Sequence, residues 1–155
     1  MIHTSYSIEE TKSLAERFVA SLKQRAFSGA SSATVIGFSG DLGSGKTAFT
    51  KCVAEILDIT EIVTSPTFVI QKKYPIAGKH TPFSTLIHID AYRLSDASDL
   101  EALRFKRELA DPTNLILIEW PERVIEALPP ETYIVRFSFV DEHVRSIEFP
   151  DMMGI

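Results

Sequence analysis

The chain has 155 residues, 45% hydrophobic and 24% charged, with a formal charge of −5 and a single cysteine, Cys52. That length and apolar share fit one compact domain and exclude intrinsic disorder, an intrachain disulfide and a chain that coats nucleic acid by itself, which needs clustered cations. No apolar run reaches the roughly 18 residues of a membrane span, and the N-terminus lacks the basic-then-apolar order of a signal peptide, so a cytoplasmic protein without a membrane partner is expected.

Ser7 and Glu10 form the reciprocal pair of a capping box, and Ile8, Leu14, Ala15, Phe18 and Leu22 then recur at helical spacing to about Lys23. Residues 28–32 break this helix. Thr34 to Ser39 is a short apolar run suited to a buried parallel strand, and it leads directly into Gly40-Asp41-Leu42-Gly43-Ser44-Gly45-Lys46-Thr47. Phe49, Val53, Ile56 and Leu57 predict a helix from Lys46 to Asp58.

Two strands are expected next, Phe68 to Tyr74 and Leu86 to Asp90, joined by a long loop over 75–85. Ser98 to Leu109 reads as one charged helix whose Arg104, Lys106 and Arg107 make a solvated face. Leu115 to Ile118 is the most apolar run and stops at Glu119-Trp120, after which Pro121 suits the first turn of a helix through Leu128. Tyr133, Val135, Phe137 and Phe139 alternate with Ile134, Arg136 and Ser138, and residues 144–149 follow a polar turn, the pattern of an antiparallel hairpin. Strands interleaved with helices predict an α/β domain over 1–150 with a mainly parallel central sheet, helices on its faces and antiparallel edge strands; 151–155 is expected to be a frayed tail.

Gly40-x-x-x-x-Gly45-Lys46-Thr47 matches the P-loop pattern at every fixed position, placed between a strand and a helix as the mechanism requires. Glycines let successive N–H groups turn inward on phosphates, and the helix start adds its positive end. The amides of Asp41 through Ala48 are therefore expected to hold the phosphates, Lys46 to reach the β- and γ-phosphates, and the Thr47 hydroxyl to ligate Mg²⁺. A nucleoside triphosphate is the expected ligand. The acidic partner of such a loop stands at a strand end, and two residues qualify: Asp90 and Glu119, the latter on the more apolar and so more central strand. Ser65-Pro66-Thr67-Phe68 is either a plain turn or a segment that lets Thr67 approach the γ-phosphate or Mg²⁺ from the opposite side. His88, flanked by apolar residues, reads as structural and not as a metal ligand.

Four ordered motifs, Gly-Asp-Leu-Gly-Ser-Gly-Lys-Thr (40–47), Ser-Pro-Thr-Phe (65–68), His-Ile-Asp-Ala-Tyr-Arg (88–93) and Leu-Ile-Glu-Trp-Pro-Glu-Arg (117–123), make the chain resemble the TsaE (YjeE) family of bacterial P-loop ATPases over roughly 7–128. The resemblance implies the P-loop NTPase fold and a catalytic set of Lys46, Thr67, Asp90 and Glu119, with Thr47 and Glu119 on Mg²⁺. It also implies a role in making threonylcarbamoyladenosine at the tRNA adenosine beside the anticodon, with TsaD and TsaB as partners, indirect contact with tRNA, and a weak ATPase stimulated in the complex. The sequence departs from the family pattern at Ser44, usually Ala, at Ala48, often Thr, in the longer 75–85 loop, and near Leu103-Arg104, where a Gly is customary. Two other readings stay open from the residues: a small-molecule P-loop kinase with Asp90 as base, and a nucleotide-dependent binding module that does not hydrolyse. Arg93 follows a strand end and is either catalytic or structural.

Overall fold

The computed structural model describes residues 1–64 and 69–155. Its described strands form one seven-stranded sheet: β1 (Ile2–Ser5), β2 (Thr34–Ser39), β3 (Gln71–Pro75), β4 (Thr85–Asp90), β5 (Asn114–Glu119), β6 (Tyr133–Phe139) and β7 (Arg145–Glu148). The spatial order is β1-β7-β6-β2-β5-β4-β3. The four inner strands β6, β2, β5 and β4 run parallel, and β3, β7 and β1 are antiparallel additions at the two edges. Three α-helices, α1 (Ile8–Phe27), α2 (Lys46–Ile56) and the short α3 (Phe105–Leu109), connect them.

β2, β5 and β4 are buried on both faces because both faces are covered, whereas β6 alternates, with Val135 and Phe137 buried and Arg136 and Ser138 exposed. On β5, Leu115 and Leu117 point to the side of α1 and α2, while Ile116 and Ile118 point to the side of Leu100, Phe105, Val124 and Leu128. The first layer is held by aromatic rings. Phe49 of α2 meets Phe18 of α1 at 5.5 Å and Phe137 of β6 at 5.4 Å, both edge-on. Phe38 of β2 meets Phe137 at 5.2 Å. Such edge-to-face pairs add about 1 kcal/mol each beyond the area they bury. Their consequence is positional: α2 is fixed against the ends of β2 and β6, so the loop between β2 and α2 has a rigid frame.

Several expectations from the sequence are met and several are corrected. Half of the capping box is present: Ser7 Oγ accepts from Glu10 N at 3.1 Å, but the Glu10 carboxylate accepts from Tyr6 N at 2.8 Å instead of from Ser7 N. The helix it starts runs four residues beyond Lys23, to Phe27. Strands β3 and β4 do pair antiparallel across the long loop, from Gln71↔Ile89 to Pro75↔Thr85; Phe68 lies outside the described residues. The single helix over 98–109 is instead a 3₁₀ stretch, Ala97–Leu103, and then α3, because Arg104 takes the left-handed conformation (φ 56°, ψ 35°) between them. The helix from Pro121 is two short 3₁₀ turns, 121–123 and 125–127.

The N-terminal strand β1 had no signal in the sequence, since its four residues are too few to show alternation. It exists because β7 offers an edge, with Ile2↔Glu148 to Ser5↔Arg145 in register. The tail is not frayed. Residues 151–153 make a 3₁₀ turn, Met153 and Ile155 are buried, Ser21 Oγ donates to Met153 O at 2.8 Å, and the Met1 ammonium donates to Asp151 Oδ1 at 2.9 Å. Two apolar side chains found a place in the layer under α1, and their burial offsets the entropy of ordering the end of the chain.

Candidate functional site

The carboxyl ends of β2, β4 and β5 open on the same side of the sheet, and the candidate site lies there. Residues 40–45 turn the chain from β2 into α2. Gly40 sits at φ 143°, and a Cβ there would stand 2.2 Å from the carbonyl oxygen of Phe137, so only glycine lets the loop pass this close to β6. The N-cap of α2 is Gly45, with no capping side chain and no acidic residue in the first turn. That turn lines the cleft and its N-cap makes no side-chain capping bond, a helix start suited to an anion.

Lys46 is 4% exposed. Its Nζ donates to Gly40 O at 2.5 Å and Asp41 O at 2.9 Å, and lies 4.6 Å from the centre of the Trp120 ring. Burial pushes its pKa below the ordinary lysine value, while the carboxylates of Glu119, Glu122, Asp90 and Asp41 oppose that shift. Burial wins. The ammonium is thus held by neutral carbonyls and an aromatic face, and an anionic ligand would be a better partner than either.

Asp90 and Glu119 end adjacent parallel strands as Cα partners, so both strand-end candidates reach the cleft. Their side chains differ. Glu119 is 3% exposed; its Oε1 accepts from Thr47 Oγ1 at 3.4 Å and from His88 Nε2 at 3.0 Å. Asp90 Oδ1 accepts from the backbone N–H of Tyr92 at 3.0 Å, which closes a tight turn. Glu119 is the carboxylate that meets the loop. After it the chain bends sharply: Trp120 is left-handed (φ 60°, ψ 50°) and its N–H donates to Phe38 O at 3.2 Å, folding the indole over Lys46.

A cleft of about 390 Å³ is lined by Leu42, Gly43, Gly45, Lys46, Thr47, Ala48, Asp90, Tyr92, Glu119, Trp120 and Arg145. Of the residues whose amides are expected to hold phosphate, Asp41 also supplies its carbonyl to Lys46 Nζ and to the N–H of Ser44, and the Ser44 hydroxyl is buried without a partner among the described residues. A second cavity of about 470 Å³ adjoins across Gly45, Ala48 and Arg145, bounded by Tyr6, Ile8, Thr11, Phe137, His143 and Ile147. Thr67 lies outside the described residues. Arg93 is exposed beyond the Asp90 turn.

Two residues escaped the sequence reading. Arg145 packs its stem against Gly45, with Cγ 3.6 Å from where a Cβ would be, and its Nη1 donates to the carbonyls of Asp141 and Val144 at 2.6 and 3.0 Å. Nothing local marks it, because it sits on β7, a hundred residues from Gly45, and only the hairpin geometry brings it over. Tyr92, 5.0 Å from Trp120 ring to ring, forms the outer wall with Arg123 over its other side at 5.7 Å. His88, expected to be structural, is fully buried and bonded to Glu119.

Fold and site together define a mixed α/β protein with a parallel core sheet and a glycine-rich strand-to-helix turn facing a buried carboxylate. Comparison with known proteins narrows this. The family model described as "Threonylcarbamoyl adenosine biosynthesis protein TsaE" matches residues 5–147, and the chain belongs to that family. It is 36% identical over 141 residues to the tRNA threonylcarbamoyladenosine biosynthesis protein TsaE of Bacillus subtilis, covering 91% of this chain and 79% of that one. The protein of the same name from Rickettsia conorii is 35% identical over 146 residues, covering 93% and 74%. That from Streptomyces coelicolor is 41% identical over 101 residues, covering 64% and 65%. The crystal structure of Bacillus subtilis YdiB superposes with a TM-score of 0.72 at 29% identity, covering 99% of this chain and 90% of that chain.

Proposed function

We propose that this chain binds ATP with Mg²⁺ on the P-loop NTPase fold, hydrolyses it slowly, and serves in this way the machinery that makes threonylcarbamoyladenosine in tRNA. The tRNA role rests on membership of the TsaE family. The nucleotide reading rests on one observation above the rest: an uncapped helix start carries Lys46 and Thr47 directly opposite the buried carboxylate of Glu119.

Each group then has a task. The loop amides and the N-terminus of α2 hold phosphate oxygens. Lys46 turns from the carbonyls of Gly40 and Asp41 onto the phosphates, a move favoured because charge–charge contacts replace charge–dipole ones. Thr47 Oγ1 and a carboxylate oxygen of the buried Glu119, 3.4 Å apart, are hard oxygen donors of the kind Mg²⁺ takes together with phosphates and water. Bound there, Mg²⁺ would neutralise charge on the phosphates. Glu119 orients the attacking water, while Asp90 and Thr67 shape the γ-phosphate side. The adjoining cavity beside Tyr6 and Ile8 suits the nucleoside, since it is reached across Ala48 and Arg145 from the phosphate cleft.

In this reading no arginine among the described residues serves the γ-phosphate side: Nη1 of Arg145, the arginine that lines the cleft, is engaged by turn carbonyls. An incomplete site is slow alone and faster with partners, which family membership suggests are TsaD and TsaB. The experiment is ATP turnover by the isolated chain, with and without those two proteins. Stimulation supports the proposal, and equal rates remove the partnership. Glu119→Gln separates an ATPase from a binding module: nucleotide affinity survives in both, but only an ATPase loses turnover.

A further inference from the structure

His88 is fully buried on β4, two residues before Asp90, and its Nε2 stands 3.0 Å from Glu119 Oε1. That same carboxylate oxygen is the one 3.4 Å from Thr47 Oγ1. The other ring nitrogen, Nδ1, is buried without a hydrogen-bond partner among the described residues. A histidine kept for packing alone would gain from replacement by an apolar residue, because an unpartnered buried nitrogen costs free energy. What this imidazole obtains for its orphaned Nδ1 is a single bond, and the bond is to Glu119. Since an ionised carboxylate only accepts, Nε2 is the donor of that bond.

We propose that His88 is a positioning residue for Glu119: it anchors the carboxylate toward Thr47 so that both oxygens face the place where Mg²⁺ binds. The idea deepens the nucleotide reading above and rests on it. Glu119 ends β5 with three rotatable bonds, and a buried carboxylate without a donor at its back would rotate toward any polar group in the cleft. A partner that donates to a metal-binding group from behind fixes its direction and raises its affinity for the metal, typically by about 10- to 100-fold. His88 and Leu117 are Cα partners across β4 and β5, so the imidazole comes from the strand beside Glu119 and its direction is set by the sheet.

The test measures ADP binding to the full chain by calorimetry with and without Mg²⁺. In His88→Leu, the gain in affinity that Mg²⁺ gives the wild-type chain should fall by about 10-fold or more, with affinity in the absence of Mg²⁺ unchanged. His88→Gln places an amide N–H near the position of Nε2 and should restore most of that gain, whereas His88→Asn reaches only the position of Nδ1 and should behave as His88→Leu. In a Glu119→Gln background, His88→Leu should change nothing further, as expected of coupled partners. Should the Leu variant not fold, the contrast between Gln and Asn carries the same information. An unchanged Mg²⁺ gain in His88→Leu or His88→Asn overturns the proposal, and so does an equal loss in the Glu119→Gln background. A wild-type chain that binds no nucleotide would sink the nucleotide reading itself, and one that binds ADP without any gain from Mg²⁺ would remove the metal role of Glu119 together with that of His88.

Discussion

Asp90 and Glu119 stand side by side at the ends of two parallel strands, yet only Glu119 turns its carboxylate to Thr47, while Asp90 closes its own turn by accepting from Tyr92 N. The difference predicts two kinds of defect. Asp90→Asn keeps an acceptor for that N–H and should leave the melting temperature unchanged, whereas Asp90→Ala should cost about 1 kcal/mol of stability. Glu119→Gln should lower ATP turnover by about 100-fold or more with little change in melting temperature. Thermal melts and single-turnover assays on the three variants check the division.

Gly40 and Gly43 both have positive φ, 143° and 77°, but a Cβ at Gly40 would collide with Phe137 O at 2.2 Å while one at Gly43 meets nothing within 4 Å. Gly43→Ala should therefore cost only backbone strain, about 1–2 kcal/mol, and keep nucleotide binding. Gly40→Ala must push the loop off β6 and should cost more than about 3 kcal/mol and abolish binding. Denaturant melts and ADP titration of the pair would show the order; equal effects would contradict the described loop path.

Lys46 carries a buried charge whose pKa is lowered, and the sign of its contribution follows. A lysine disfavoured in its charged form costs stability at every pH where the folded protein keeps it protonated, and that cost fades as pH rises from the lowered value toward the ordinary 10.5. Lys46→Met removes the charge and keeps the stem. At neutral pH its melting temperature should equal or exceed that of the wild-type chain, with the difference closing as pH approaches and passes 10.5, while ADP affinity drops by about 10-fold or more. A variant less stable than wild type at neutral pH would show that the bonds to Gly40 and Asp41 outweigh the burial.

Arg104 is left-handed at φ 56°, at the place where the family resemblance leads one to expect glycine. The conformation is forced, because the 3₁₀ stretch before it and α3 after it pack Leu100 and Phe105 into the same layer. Arg104→Gly should relieve the strain and raise stability by about 1 kcal/mol, less a few tenths for the added freedom of the unfolded chain. Urea unfolding would register the change, and a loss of stability would mean that the Arg104 side chain contributes more than its backbone costs.

The sequence by itself determined what depends on neighbours along the chain. Eight residues from Gly40 to Thr47 contain the turn, the anion-directed amides and the lysine, so the loop was legible without knowing where anything else lay. The same holds for the Ser7 cap of the first helix, for the doubly buried run before Glu119, and for the hairpin of β6 and β7, each set by a local period or a short-range hydrogen bond. Tertiary structure alone decided which strands became neighbours. Hydrophobic periodicity reports how many faces of a strand are covered and says nothing about which strand lies beside it, so the contact of His88 with Glu119, the stem of Arg145 across Gly45 and the pairing of β1 with β7 had no trace in the order of residues. The packed tail and the break at Arg104 belong with them, since burial supplied by distant elements overrode local preference in both.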